Sequence, residues 1–340
     1  MIAFKKILII KPSSLGDIVH SLPVLAAVRR SSPAAEIHWV VARGFEGILE
    51  GHPFIKKLWI LDKDAWKKIS KVKSSVRELR SLFDGLRAER FDAAVDLQGL
   101  FRSGFIARAS NAPVRLGFSD AREGSTIFYT DAVEGGLYSD IHAVDRYLKI
   151  AAYLGCDISR VRFPFPKPLK SLEEILPSSE QASRDYVVMA PGARGATKRW
   201  PAKRFGELAS QLPFKTVVIG GKSDLHLAAE LVSESRGKAI SITGKTDMRD
   251  LVVVIRSARL MVCNDTGPMH IAAALGVRVF ALFGSTNPLR TGPYGSNHTI
   301  IQSDLPCSPC YRMSCKTVEC MTMIQVEEVL RRIDEFLRGR

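Results

Sequence analysis

The residues with chemistry in them gather in short polar stretches, each at the end of an apolar run. Asp265, Thr266 and Gly267 stand between the apolar run Leu260 to Cys263 and a short helical pattern, His270 to Leu275. Unpaired N–H groups and the positive dipole end of a helix N-terminus suit an anion. Thr266 adds a hydroxyl donor and Gly267 lets the anion approach the backbone, so the chemistry is that of a phosphate or diphosphate. An ordinary helix cap is the alternative, since Asp and Thr commonly serve as caps. A second polar loop, Gly284-Ser285-Thr286-Asn287-Pro288, follows the next apolar run, Val277 to Phe283, and two such loops side by side favour a nucleotide site.

Asp17 ends a similar stretch near the start, Pro12-Ser13-Ser14-Leu15-Gly16-Asp17. Neither GxGxxG nor GxxxxGK[ST] occurs there. That leaves Asp17 as a reactive carboxylate at a cleft mouth or as a first-turn acid complementing the helix dipole. Lys198, beside the Pro191-Gly192-Ala193-Arg194 turn, is a diphosphate partner or a surface lysine. Asp224, closing Gly220-Gly221-Lys222-Ser223, is placed to accept from ribose hydroxyls. Asp96-Leu97-Gln98-Gly99-Leu100 again puts polar groups at a strand's carboxyl end, and Arg122 and His142 follow in Ala121-Arg122-Glu123 and His142 to Arg146. Lys63, Trp66, Lys67, Lys68, Lys71 and Lys73 form either a solvated helix face or a basic platform for an anionic substrate at a membrane surface.

These stretches need elements to hold them. Continuous apolar runs predict strands at Lys6 to Lys11, Glu36 to Val41, Lys57 to Leu61, Phe91 to Leu97 and Val114 to Gly117, with a long amphipathic helix from Val72 to Arg90. A proline- and serine-rich stretch, Cys156 to Ser183, carries no periodicity and holds the linker. Alternation then restarts, with strands at Tyr186 to Ala190, Lys215 to Gly220 and Ala239 to Ile242. Helices at Lys203 to Gln211, Asp224 to Ser235 and Asp247 to Ser257 separate them. Repeated βαβ units predict parallel sheets covered on both faces. The expected architecture is α/β: residues 1–160 as one domain, 161–183 as linker and 184–340 as a second, with a cleft between their sheet edges.

With 340 residues the chain is long enough for two cores. No apolar run reaches the ~18 residues of a membrane span, and the N-terminus lacks a signal-peptide pattern, so a cytoplasmic location is expected. Lys and Arg number 49 against 35 Asp and Glu, a net charge of +14 that asks for an anionic partner. Nucleic acid is one such partner, but the chain has no helix-turn-helix signature, RNP aromatics or basic helix, so none is expected. A nicotinamide oxidoreductase is disfavoured by the missing GxGxxG.

Read together, KPSSLGDIVHSLP, PGARGATKRWP and NDTGPMHIAAALG with FGSTNP resemble glycosyltransferase family nine, the lipopolysaccharide heptosyltransferases, in order over nearly the whole chain. FDAAVDLQGLFRS, the ARE tripeptide, HAVDR and the Trp66-Lys67-Lys68 cluster are most similar to the branch that adds the first heptose. The resemblance implies a GT-B fold, two Rossmann-like domains, the first binding acceptor and the second ADP-sugar, with the last helix packing back on the first. It implies inverting, metal-independent transfer of L-glycero-D-manno-heptose from ADP-heptose to the inner 3-deoxy-manno-octulosonic acid of lipid A, at the cytoplasmic face of the inner membrane. The enzyme that adds the second heptose is the alternative.

Residue by residue, the resemblance makes Asp17 the general base and gives Lys198, with the backbone at Thr266 and Gly267, the departing diphosphate. Asp265 would contact the sugar, His270 would sit near the diphosphate, Asp224 would take the ribose, and Gly192 would line the donor site. Lys11, Ser14, Gly16, Lys63, Lys67, Gln98, Arg122 and His142 would bind acceptor. No cofactor is implied. The spacing Cys307-x2-Cys310-x4-Cys315-x4-Cys320 departs from that branch; it is compatible with a four-thiolate metal site, reduced core thiols or an adventitious disulfide.

Overall fold

The structure, a computed structural model, describes residues 4–62, 72–136, 141–176 and 185–339. Contacts divide the chain into two compact units, 1–167 and 168–340. The central strands are short, aliphatic and buried on both faces, so they read as unbroken apolar runs rather than alternating ones.

The first unit runs β1 (Lys6–Ile10), α1 (Leu15–Ser31), β2 (Glu36–Ala42), β3 (Lys57–Leu61), α2 (Val72–Ala88), β4 (Ala93–Asp96), α3 (Phe101–Ala109), β5 (Val114–Phe118), β6 (Asp131–Val133) and α4 (Ala143–Tyr153). Its six strands are parallel in the order β3-β2-β1-β4-β5-β6. The order reverses between β1 and β4, and in an open α/β sheet ligands bind outside the carboxyl ends at such a point. Lys11 to Asp17 leave β1 there, and Leu97 to Leu100 leave β4.

The second unit contains α5 (Leu172–Ile175), β7 (Tyr186–Ala190), α6 (Ala202–Gln211), β8 (Lys215–Val218), α7 (Leu225–Glu234), β9 (Ala239–Ser241), α8 (Met248–Arg256) and β10 (Leu260–Asn264). It continues with α9 (Gly267–Ala274), β11 (Arg278–Phe283), α10 (Pro288–Thr291), β12 (His298–Gln302), α11 (Glu319–Thr322) and α12 (Val326–Arg338). Its parallel sheet, β12-β11-β10-β7-β8-β9, repeats the first topology. The reversal lies between β7 and β10, the strands that deliver Gly192 and Asp265.

Most element boundaries shift by a residue or two from the sequence expectation, and a few shift further. Helix α9 begins at Gly267 rather than His270, because Pro268 fits the first turn, where its missing N–H costs nothing. Strand β8 stops at Val218, and the short edge strands β6 and β12 carry too little apolar pattern to stand out. The last helix buries Val326, Val329 and Ile333 in the second unit's own core. Trp200, 1% exposed, donates from Nε1 to the Ile324 carbonyl at 2.9 Å and fixes the chain just before that helix. Among the described residues, no helix is long and apolar enough to cross a membrane.

Close packing of α6 on α7 depends on Gly206. A Cβ there would lie 2.5 Å from the Leu231 carbonyl oxygen and 2.5 Å from Glu234 Cβ. A backbone oxygen cannot rotate away, so Gly206→Ala must separate the helices. We expect a loss of about 1–3 kcal/mol in chemical denaturation; an unchanged midpoint would show that the helix pair slides without cost.

Candidate functional site

At the first unit's switch point, Asp17 sits on the first turn of α1 with its side chain about one-third exposed. Its Oδ2 accepts from the Ser14 backbone N–H at 3.0 Å and from the Ser14 hydroxyl at 2.8 Å. Its Oδ1 accepts from the Tyr147 hydroxyl at 3.2 Å. One oxygen therefore caps the helix while the other faces a side-chain network, so Asp17 can serve both as cap and as reactive carboxylate. Gly16 is buried beside it on the same turn.

Lys11 anchors that network. Its buried ammonium donates to the Tyr147 hydroxyl at 2.8 Å and the Leu97 carbonyl at 3.0 Å, 3.9 Å from Asp17 Oδ1. It also lies 4.8 Å from the Tyr147 ring centroid. Burial pushes the lysine pKa below its ordinary value, opposed by the Asp17 and Asp96 carboxylates. Lys11 thus faces inward, holding Tyr147 and the β4 loop.

Asp96 shapes that loop. Its Oδ1 accepts from the Gln98 and Gly99 N–H groups at 2.8 and 3.1 Å, and its Oδ2 from the Tyr129 hydroxyl at 2.7 Å. Complete burial raises its pKa, opposed by those hydrogen bonds. The turn presents Gln98, whose Oε1 accepts from the Ser13 N–H at 3.4 Å. Beside it opens a cavity of about 340 Å³ lined by Pro12, Ser13, Gln98, Leu100, Arg102 and Glu123 among others. Arg122 is exposed, and its main-chain N–H donates to the Gly99 carbonyl at 2.9 Å. His142 caps α4, Nδ1 accepting from the Val144 N–H at 3.2 Å, with its ring edge-on to His20 at 5.1 Å. Lys63 and Lys67 lie outside the described residues.

At the second unit's switch point, Lys198 Nζ donates to Asp265 Oδ2 at 2.5 Å, and the Thr286 hydroxyl donates to the same oxygen at 2.8 Å. Asp265 is nearly buried and Lys198 about one-quarter exposed. Thr266 is the N-cap of α9 and Gly267 its first residue, so the helix opens directly beyond this ion pair. Buried His270 follows one turn on. Asn264 binds the loops together, donating to the Pro191 carbonyl at 2.8 Å and accepting from the Trp200 N–H at 3.0 Å. Gly192 and Asp224 meet: a Cβ on Gly192 would fall 2.5 Å from the Asp224 carboxylate carbon, and that carboxylate accepts from the Gly221 N–H at 2.9 Å.

The four clustered cysteines lie near one another, and burial, with the thiols of Cys310, Cys307 and Cys315, pushes the Cys320 pKa up. Cys307 and Cys315 are exposed, Cys310 is half-buried, only Cys320 of the four is a core thiol, and no disulfide joins them. Among the described residues no group of three or more His, Cys, Asp or Glu is arranged to hold a metal. The same segment is hydrogen-bonded to the second unit's loops. The Tyr311 N–H donates to the Ser285 carbonyl at 2.7 Å, the Thr197 hydroxyl to the Arg312 carbonyl, and the Ser308 hydroxyl to the Gly284 carbonyl at 2.6 Å.

Tyr147, Tyr129, Asn264 and Thr286 complete these networks, and the linear sequence signals them only faintly. Tyr147 directly follows the HAVDR stretch on a helix whose apolar spacing reads as core, and Thr286 lies in a polar loop with nothing to mark it above its neighbours.

Two doubly wound units with polar loops at their switch points make the GT-B fold. Among solved structures, the chain superposes on a family 9 glycosyl transferase from Veillonella parvula with a TM-score of 0.82, at 25% identity, covering 99% of this chain and 98% of that one. An Escherichia coli heptosyltransferase solved with ADP shares the fold, with a TM-score of 0.80 at 23% identity over 97% and 99%. In sequence, lipopolysaccharide heptosyltransferase 1 of Pseudomonas aeruginosa is 30% identical over 91% of this chain and 87% of its own length. Lipopolysaccharide heptosyltransferase 2 of Salmonella typhimurium is 26% identical over 87% and 88%. Residues 79–320 match the profile of Glycosyltransferase family 9 (heptosyltransferase), and the chain belongs to that family.

Proposed function

We propose that the protein transfers L-glycero-D-manno-heptose from ADP-heptose to the inner 3-deoxy-manno-octulosonic acid of lipid A, with inversion and without a metal, at the cytoplasmic face of the inner membrane. The carrying observation is the Lys198–Asp265 pair at the mouth of α9. A fixed cation, a hydroxyl and helix N–H groups stand together where a diphosphate would leave. Family membership supports the sugar, and the 30% identical relative in Pseudomonas aeruginosa is a heptosyltransferase 1.

In this reading Asp17 accepts the proton of the acceptor hydroxyl as that oxygen bonds to the anomeric carbon. The bond from that carbon to the diphosphate oxygen breaks in the same displacement, and ADP departs with the electron pair. Lys198 and the α9 N-terminus stabilise the charge that develops on it. Asp265 holds the Lys198 ammonium in place, Asp224 receives the ribose hydroxyls, and His270 backs the diphosphate. The acceptor side uses Ser14, Gly16, Gln98, Arg122, His142, Lys63 and Lys67, with Lys11 acting from beneath. The domain roles follow: residues 1–160 take acceptor, 161–183 link, and 184–340 take donor.

ADP release measured in EDTA, with de-acylated lipid A carrying octulosonic acid and with the same acceptor already bearing one heptose, tests the assignment. Turnover of the first acceptor is expected. Turnover of the heptosylated acceptor alone would move the protein to second-heptose transfer, and no release from either would sink the substrate assignment. Gly192→Ala offers a separate check of the donor side. The new methyl must displace the Asp224 carboxylate, so KM for ADP-heptose is expected to rise about tenfold with kcat little changed. An unchanged KM would remove Asp224 from donor binding.

A further inference from the structure

The first unit carries an exposed aromatic face that the transfer chemistry does not use. Phe101 and Phe105, one turn apart on α3, are 47% and 40% exposed, and Ile127, on the adjoining turn Ser125–Phe128, is 74% exposed. Leaving such side chains in water is unfavourable, yet here they are held in order. Phe128 stands edge-on to both rings, its centroid 5.1 Å from Phe101 and 5.9 Å from Phe105, and Phe83 of α2 meets Phe105 edge-on at 5.5 Å. Gly104 permits this: a Cβ there would come within 2.8 Å of the Phe128 ring. The result is a rigid, outward-facing apolar ridge, and contiguous apolar surface of this kind marks an interaction site.

What surrounds the ridge selects its partner. Arg102, Arg108 and Arg122 are exposed around it. Of the nearby acids, Glu123 accepts from the Phe101 N–H at 3.2 Å, where its charge complements the start of α3, and Asp84 beside Phe83 pairs with Arg87 at 3.3 Å. A ridge of aromatic and aliphatic side chains among arginines matches an anionic bilayer: rings and Ile enter the headgroup–acyl boundary while guanidinium groups meet lipid phosphates. A second copy of this chain would instead bring like charges together, which is unfavourable. The same helix also lines the 340 Å³ cavity with Arg102, Ser103 and Ile106.

We propose that the Phe101–Phe105–Ile127 ridge docks the first unit on an anionic lipid bilayer and so presents the cavity beside α3 to an acceptor held in that bilayer. The second half of this statement rests on the transferase reading above; the docking itself does not. The full chain is sedimented with phosphatidylcholine vesicles with and without phosphatidylglycerol. The wild type is expected to bind the anionic vesicles, less so as salt rises. Ile127→Ser and Phe105→Ser should each weaken binding about tenfold, from the loss of one inserted apolar side chain. Ile127→Trp should strengthen it, and since Ile127 is mostly solvent-facing both of its variants keep the fold.

Turnover of a water-soluble, de-acylated acceptor should be unchanged in Ile127→Ser, whereas turnover of vesicle-embedded acceptor should fall with binding. Absence of wild-type binding, or Ile127→Ser and Ile127→Trp binding as the wild type does, overturns the proposal. So does loss of a dimer in sedimentation velocity on Ile127→Ser, which would give the ridge to a second copy. Soluble acceptor turned over without vesicle binding would remove the docking alone. Ridge-dependent binding without turnover of either acceptor would remove the transferase reading alone.

Discussion

Asp17→Asn is expected to lower kcat by about a thousandfold, within the range for loss of a positioned general base, while KM for ADP-heptose changes little. Asn is chosen because it retains one carbonyl oxygen and nearly the same shape. That oxygen can still accept from the Ser14 N–H or the Tyr147 hydroxyl. The folded state should therefore lose only about 1 kcal/mol, the scale of a weakened helix cap, and a thermal melt run alongside separates that loss from the chemistry. Tyr147→Phe is the informative partner. It leaves the carboxylate but removes the hydroxyl between Oδ1 and the buried Lys11 ammonium, so a fall in kcat of about tenfold is expected from misplacement alone. If Asp17→Asn kept a tenth or more of wild-type kcat, Asp17 would be a helix cap and nothing further.

Lys198→Ala is the second large effect, with kcat falling by about a hundred- to a thousandfold, the usual consequence of removing one group that stabilises developing negative charge. The substitution also takes the ammonium away from nearly buried Asp265, to which the Thr286 hydroxyl still donates. Lys198→Ala combined with Asp265→Asn addresses this. If the loss comes from Lys198 acting on the leaving group, the double variant stays as inactive as the single one while its melting temperature recovers. If the loss came from a disturbed Asp265 loop, restoring neutrality would restore rate as well, and that result would remove Lys198 from the chemistry. Lys198→Arg should recover only part of the rate, because a planar guanidinium cannot occupy the point position of an ammonium 2.5 Å from Asp265.

Much of the fold is legible in the linear sequence for a specific reason. Strands of a parallel sheet are buried on both faces, so KILII, YVVMA and RVFALF announce themselves as unbroken apolar runs between polar turns. Polar residues at the carboxyl ends of such strands fall at the ligand edge, and on that ground Asp17, Gly192, Asp265 and Thr266 stand out from chain order alone. The edge strands Asp131–Val133 and His298–Gln302 escape notice because a partly exposed strand needs little apolar patterning. The start of α9 is hidden because Gly and Pro suggest a loop in a linear reading, whereas Pro in a first helical turn gives up no hydrogen bond.

Apolar runs and polar turns in the linear chain were enough to give two βαβ units, the loops at the carboxyl ends of their strands, and the residue types those loops carry. Which strands flank the switch points, and which groups meet there, came from the packed fold. Tyr147 lies 130 residues from Asp17, and Thr286 lies 21 residues from Asp265. A hydrogen bond of this kind is set by sheet order and helix packing and leaves no trace in local spacing. Burial alone separated inward-facing Lys11 from exposed Arg122, both basic candidates in the sequence. Tertiary contacts also tie the cysteine-rich segment to the Thr197 and Ser285 loops. Thiol spacing fixes how far apart the cysteines are along the chain, but burial, which leaves Cys307 and Cys315 exposed and Cys320 in the core, follows from the fold.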